Sequence, residues 1–380
     1  MYSRLLKKPS KSIILFGPRG TGKSTWIREN FKDASYYDLL NNQEVIRLSK
    51  NPALITDELS GLPPQSWVVI DEIQKVPALL DEVHRLIEER KLNFVLSGSS
   101  ARKLKKGGAN LLAGRAITQY LFPLVSAETK FNFKFPDVLS TGTLPMALDP
   151  ENSLAYLNSY VDTYLKEEIR EEALTRNIGN FARFLEVAAR QNGQITNVSN
   201  IARDAMVGRL TVQGYFEILV DTLIGFWLEP WKLKRATKQV GHPKFYFFDC
   251  GAVRALSGRA AYPPSHEELG PLLETFVLNE VRAFISYNKL YYPIHFWSSH
   301  NQVEVDLFCE TKNGFVAIEI KSATQWDRKF SQGLKRLREE SGEKIKCFGV
   351  YLGNRQALVD DIRIMPINHF LEELWSGKII

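Results

Sequence analysis

Cysteine is scarce in this chain of 380 residues: Cys250, Cys309 and Cys347 lie far apart, with no CxxC pair and no histidine spacing for zinc. That excludes a disulfide scaffold and a zinc-finger framework, and the expected state is three reduced, mostly buried thiols. Long apolar runs are also missing. None approaches the roughly 18 residues that a membrane-spanning helix needs. The run Ile13–Phe16, after the basic Lys7, Lys8 and Lys11, is shorter than the apolar core of a secretion signal. No internal repeat and no low-complexity tract is present, so the expectation is a cytoplasmic protein with no membrane partner. Hydrophobic content of 44% and charged content of 24% are ordinary for a globular chain, and this length accommodates about two or three domains. A net charge of +6 with pI near 9.0 is compatible with nucleic acid but selects for it only weakly.

What is present begins with a buried-strand run, Ile13–Phe16, that enters Gly17-Pro18-Arg19-Gly20-Thr21-Gly22-Lys23-Ser24. The glycines let backbone N–H groups wrap phosphate oxygens where a Cβ would obstruct. Lys23 reaches the β- and γ-phosphates, Ser24 supplies a magnesium ligand, and a helix from Thr25 adds its positive end. A second apolar run, Trp67–Ile70, ends in Asp71-Glu72, where Asp71 would hold Mg²⁺ and Glu72 would polarise the attacking water. Asn93–Leu96 is a third compact strand, and between the runs lie amphipathic stretches. In Ala78–Arg90, for example, Leu79, Leu80, Val83, Leu86 and Ile87 share one face. Strands alternating with helices imply a parallel sheet with right-handed crossovers. ATP and Mg²⁺ are the implied cofactors.

These residues resemble the AAA-type P-loop ATPases, in which the Asp-Glu pair marks the second nucleotide motif. The resemblance extends to Phe94-Val95-Leu96-Ser97-Gly98-Ser99-Ser100. It implies a polar γ-phosphate sensor at this strand's end, a part that Ser97, Ser99 or Ser100 could each fill; Ser99 is carried forward with the nucleotide-binding residues. It also implies an arginine finger at Arg115, directly before the strand Ile117–Leu121, completing a neighbouring subunit's site in a ring or other homo-oligomer. A surface arginine at a strand start is the alternative reading of Arg115.

Residues 181–250 resemble a winged helix-turn-helix, with helices at Phe181–Arg190, Val198–Ala205 and Thr211–Thr222 and a turn at Met206-Val207-Gly208. Phe226–Lys238 and Lys244–Phe248 read as a basic, aromatic hairpin wing carrying Trp231, Lys232, Lys234, Arg235, Lys238, His242 and Lys244. With Arg209 at the start of the third helix, these lysines and arginines are the candidate DNA contacts, through phosphates or a stacked base. The competing reading is a structural lid with no DNA contact.

The last region resembles restriction-endonuclease-like domains of the PD-(D/E)xK type. Glu304-Val305-Asp306 and Ala317-Ile318-Glu319-Ile320-Lys321 are its two motifs, joined by a turn at Lys312-Asn313-Gly314. Strand alternation places Glu319 and Lys321 on one face with Ile320 behind. The resemblance implies Mg²⁺ held by Asp306 and Glu319, Lys321 orienting water, and Glu280 from the preceding helix joining the set. The family's usual Pro-Asp pair is replaced here by Glu304-Val305-Asp306. A hairpin with merely exposed charges, or the fold without cleavage, would fit the same residues.

The expected fold class is therefore α/β: an AAA-type ATPase core with a parallel sheet (1–130), a helical linker or lid (131–180), a central all-α/winged-helix domain (181–252) and an α/β PD-(D/E)xK nuclease-like domain (253–380). Further stretches support this order: Ala101-Arg102-Lys103-Leu104, Tyr164-Leu165-Lys166-Glu167-Glu168-Ile169, Phe245–Gly251 and Leu273–Glu280. The leading functional expectation is an oligomeric ATPase that remodels or translocates on duplex or branched DNA with little sequence specificity. The alternatives are an ATP-gated switch with a Mg²⁺-dependent nuclease effector, and a protein-interaction ATPase with a non-catalytic nuclease-like fold.

Overall fold

The computed structural model describes residues 2–100, 112, 114–165, 178–232, 241–299 and 303–380. They form two compact units, one of residues 4–123 with 217–224, the other of 1–3, 124–216 and 225–380. Among the described residues, no helix is long and apolar enough to cross a membrane.

In the first unit the chain runs β1 (Ile13–Phe16), α1 (Lys23–Asn30), β2 (Ser35–Asp38), α2 (Asn42–Lys50), α3 (Leu54–Glu58), β3 (Trp67–Asp71), α4 (Leu79–Arg90), β4 (Asn93–Gly98) and β5 (Ile117–Tyr120). The sheet order is β2-β3-β4-β1-β5 and every pairing is parallel. The central strands are covered on both faces, which is why they read as unbroken apolar runs and not as alternations. β1 is buried throughout, and α4 buries Leu79, Leu80, Val83 and Leu86 against the sheet's core. Because β4 lies between β1 and β3, its end brings Ser97 and Gly98 between the nucleotide loop and Asp71. The carboxyl ends of parallel strands flanking such a reversal in order are where ligands bind in open α/β sheets.

The second unit opens with α5 (Phe135–Thr141), α6 (Ser153–Ser159) and a wide helical turn at Tyr160–Leu165. Residues 166–177, with most of the stretch Tyr164–Ile169, lie outside the described residues, as does Ala101–Leu104 of the other unit. The three expected helices of the middle segment are present as α7 (Ile178–Arg190), α8 (Val198–Asp204) and α9 (Arg209–Asp221). Asn197 caps α8, and Met206 takes a left-handed φ of 55° at the turn. An aromatic cluster of Phe181, Phe184, Tyr215 and Phe216 holds α7 against the start of α9.

The hairpin β6 (Gly225–Leu228) and β7 (Lys244–Phe247) follows, paired antiparallel. It does not stand free as a wing. Beyond β6 the backbone docks on the edge of β8 (Ile294–Ser298): Trp231 N–H donates to the Phe296 carbonyl at 2.6 Å, and Phe296 N–H to Glu229 at 3.1 Å. The Trp231 ring lies 4.2 Å from the Phe308 ring and packs, partly buried, against the core of the six-stranded sheet.

After α10 (Cys250–Leu256) and α11 (His266–Tyr287), the remaining elements are β8, β9 (Glu304–Thr311), β10 (Gly314–Lys321), α12 (Gln332–Ser341), β11 (Ile345–Tyr351), β12 (Ala357–Val359), β13 (Ile362–Pro366) and α13 (Ile367–Trp375). The six strands order as β12-β13-β11-β10-β9-β8, with β8–β9–β10 an antiparallel meander and β10, β11 and β13 parallel. All three cysteines are buried free thiols.

Candidate functional site

The nucleotide loop is shaped by two glycines. A Cβ on Gly17 would collide with the Leu121 carbonyl, and Gly22, which caps α1, sits at φ 91° and ψ 26°, where side chains are disfavoured. The Thr21 hydroxyl donates to the Pro18 carbonyl at 2.8 Å. The buried Lys23 ammonium donates to Gly17 O at 2.7 Å and Pro18 O at 3.2 Å, closing the loop over its own cation. Gly20 takes φ 80°, while Arg19 and Thr25 are exposed on the rim and Ser24 is half-buried. Arg4, which no sequence motif pointed to, donates to Thr21 O at 2.5 Å and Phe122 O at 2.6 Å, tying the loop to the chain leaving β5.

At the end of β3 the Asp71 carboxylate is buried and accepts hydrogen bonds from the Tyr36 hydroxyl, at 2.6 Å, and from Ser97. Burial, and then the bond to Asp71, push Tyr36 well above the ordinary tyrosine range, so it stays a donor. Glu72 adopts left-handed angles (φ 61°, ψ 47°), a strained state for a non-glycine residue. Its N–H donates to Ser97 Oγ at 3.2 Å, and its carboxylate accepts from Gln74 and, at 3.4 Å, from Ser99. The three serines are thus distinguished by contact: Ser97 holds Asp71, Ser99 meets Glu72 and Gln74, and Ser100 is buried. Ser24 and Asp71 are the hard oxygen donors that Mg²⁺ takes, so this set fits a magnesium nucleotide. Arg115 forms an exposed ion pair with Glu88 of α4, Nε to Oε1 2.5 Å; residues 101–111 and 113, shortly before it, lie outside the described ones.

A second cluster lies in the other unit. Asp306 on β9 and Glu319 with Lys321 on β10 do come together: Lys321 Nζ is 2.5 Å from Glu319 Oε1 and 3.7 Å from Asp306 Oδ2. Asp306 also accepts the Ile320 N–H at 2.7 Å. Glu280 does not join them. It is buried elsewhere, accepting from Ser126 N–H at 2.7 Å and Trp375 Nε1–H at 2.6 Å. The acid that α11 turns toward Asp306 is Glu274, six residues earlier and about two-thirds of a turn round the helix; it accepts the Tyr246 hydroxyl at 2.6 Å.

Lys244 also needs correction as a DNA contact. It is 4% exposed, and its ammonium sits 2.7 Å from Glu304 Oε2, facing Glu274 and Asp306 as well. Lys232 and Arg209 are exposed; Lys234, Arg235 and Lys238 lie outside the described residues. Burial opposes the Lys244 charge, but Glu274, Asp306 and Glu304 hold its pKa above the usual lysine value. Burial and the Asp306 charge push Glu274 up to about 7 and Glu319 well above the carboxylate range. The Lys244 and Lys321 ammonium groups lie against these acids and offset their charge. Among the described residues, no group of three or more His, Cys, Asp or Glu is arranged to hold a metal ion. The lysines take the carboxylate oxygens that a cation would need, so these residues, as placed, do not fit Mg²⁺.

A family profile described as an AAA domain matches residues 9–130. Profiles of two domains of unknown function, DUF8612 and DUF4143, match residues 132–262 and 269–370. An uncharacterised protein of Mycobacterium tuberculosis is 29% identical over 318 residues, spanning 81% of this chain and 70% of the relative. An uncharacterised protein of Methanocaldococcus jannaschii is 24% identical over 329 residues, 75% of this chain and 70% of the relative. The Orc1 protein of Aeropyrum pernix, solved in complex with DNA, aligns at 15% identity over 66% of this chain and 87% of its own with a TM-score of 0.28, too low to carry any argument. The AAA domain profile thus covers the stretch that forms the nucleotide loop and the Asp71-Glu72 strand, and residues 9–130 are similar to AAA-type P-loop domains.

Proposed function

We propose that this chain is an ATP hydrolase whose nucleotide cycle is coupled to DNA binding by the segment 178–232, and that it works as a homo-oligomer. The observation that carries the ATPase part is the arrangement at the ends of β1, β3 and β4. A glycine loop folded round Lys23 faces an Asp71-Glu72 pair, and Ser97 and Ser99 fix both carboxylates. In this reading Ser24 and Asp71 would hold Mg²⁺, and the bound ion would shield phosphate charge. Lys23 turns from its loop carbonyls to the phosphates, and Glu72 accepts the proton of an attacking water. The strained backbone of Glu72 supports that role, since such strain is retained where the surrounding structure holds a side chain for use.

DNA coupling is supported by the helix-turn-helix order of α7, α8 and α9, by exposed Arg203 and Arg209 beside the turn, and by the basic net charge. With Lys244 taken up by the acid cluster and Trp231 packed on the sheet, the candidate contacts are Arg209, Lys232 and, outside the described residues, Lys234, Arg235 and Lys238, a set suited to phosphate recognition more than to base reading. The charge-compensated acid cluster favours remodelling over cutting. The test is steady-state ATP turnover with and without saturating duplex, forked and four-way DNA. Stimulation of several-fold by at least one form, lost at high salt, is expected. Turnover that ignores every form overturns the DNA reading and leaves the ATPase.

A further inference from the structure

The ammonium of Lys244 reaches the acid cluster from outside the sheet that carries it. Lys244 is the first residue of β7, on the hairpin of the middle segment, whereas Glu304, Asp306 and Glu319 stand on the six-stranded sheet and Glu274 on α11. Its Nζ lies 2.7 Å from Glu304 Oε2 and 5.2 Å from the centre of the Phe296 ring. On the other side of the cluster, Lys321 takes Glu319 Oε1, and Glu319 Oε2 is buried with no hydrogen-bond partner. Buried acids are costly unless compensated, and here the compensation comes from two lysines, Lys244 on Glu304 and Lys321 on Glu319.

The hairpin that carries Lys244 is bound along the same edge by the Trp231–Phe296 and Phe296–Glu229 hydrogen bonds. The Tyr246 hydroxyl reaches Glu274 from the same strand. The hairpin therefore delivers one cation to Glu304 of the six-stranded sheet and one donor to Glu274 of α11.

We propose that Lys244 is a resident internal cation that closes this carboxylate cluster to divalent metals while the β6–β7 hairpin is docked, so that the cluster becomes a divalent-cation site only when the hairpin's ammonium is removed. This closure depends on the cluster's geometry alone and is independent of ATP hydrolysis. An ammonium on a carboxylate competes directly with a hard cation for the same oxygens. Mg²⁺ and Mn²⁺ need several such oxygens at once, and Lys244 and Lys321 divide them. Removing one ammonium leaves Glu304, Asp306 and Glu274 facing a vacated volume with a net negative charge.

The probe is Mn²⁺ alone, titrated calorimetrically into the nucleotide-free full chain, with Asp306→Asn as the reference for sites elsewhere. Wild type and Asp306→Asn should bind Mn²⁺ identically. Lys244→Met, which keeps the stem's volume, should gain one site at least tenfold tighter than any in wild type, lost again in the double variant with Asp306→Asn. An Asp306-dependent Mn²⁺ site already present in wild type overturns the proposal, and that comparison holds even if the methionine variant does not fold. A folded Lys244→Met chain with no gain in Mn²⁺ affinity overturns it equally, whatever the ATPase assays give.

Discussion

Glu280 is where a single carboxyl's environment reaches the whole unit's stability. It is buried under α13 and α11, accepts two N–H bonds, and burial pushes its pKa up to about 7 from an ordinary 4.5. A folded-state pKa raised in this way contributes stability below the ordinary value, which is lost as pH rises through about 7. The shift corresponds to roughly 3 kcal/mol, an upper order of magnitude. Glu280→Gln keeps a neutral group that can still accept one of the two bonds. Relative to wild type it should be less stable at pH 5, with the gap narrowing or reversing by pH 8 in thermal melts. Parallel melting profiles across that window would show that Glu280 does not titrate there. At the same scale, Glu72→Gln should keep ATP binding and lower turnover by about 10²–10⁴-fold, the usual contribution of a general base. Wild-type turnover would remove Glu72 from the chemistry.

Elements explain which parts of this site a reader of the sequence could find. The glycine loop and Asp71-Glu72 are contiguous motifs on buried strands, so their local order already implies their geometry. β2 was missed because Ser35–Asp38 is an edge strand, polar and half-exposed, without the apolar run that marks β1, β3 and β4; Tyr36 and its bond to Asp71 were missed with it. Glu274 carries no sequence signal of its own, because spacing along a 22-residue helix does not say which face meets the sheet. Lys244 read as a surface contact because its partner Glu304 is 60 residues away and becomes visible only once β7 and β9 are brought together. Packing also reverses a simple propensity argument at Gly333. This glycine lies inside α12, where alanine gains about 1 kcal/mol of helix propensity. A Cβ there would strike the Glu304 carbonyl of β9. Gly333→Ala should therefore lower stability by about 1–3 kcal/mol, the range for an overpacked contact, as read by urea melts. A stabilised variant would mean that α12 can lift away from β9 freely.

For the whole molecule the open question is whether one chain completes its own ATP site. Arg115 lies in the same unit as the nucleotide loop and pairs with Glu88 at the surface. Exposed pairs of this kind contribute little to stability and are readily exchanged, so the guanidinium can be given to a neighbouring subunit at small cost. If Arg115 acts in trans, specific activity should rise with protein concentration, and Arg115→Ala should keep ATP affinity and melting temperature while losing about 10³-fold or more in turnover, the contribution measured for supplied arginines. The decisive arrangement is a mixture. Arg115→Ala subunits retain Glu72, and Glu72→Gln subunits retain Arg115, so an interface between them holds one intact composite site. Mixing two inactive proteins should then restore a substantial fraction of wild-type turnover, greatest near equal proportions. A mixture as inactive as its components, with wild-type activity independent of concentration, would return Arg115 to the role of a surface arginine and make the ATP site self-sufficient within one chain.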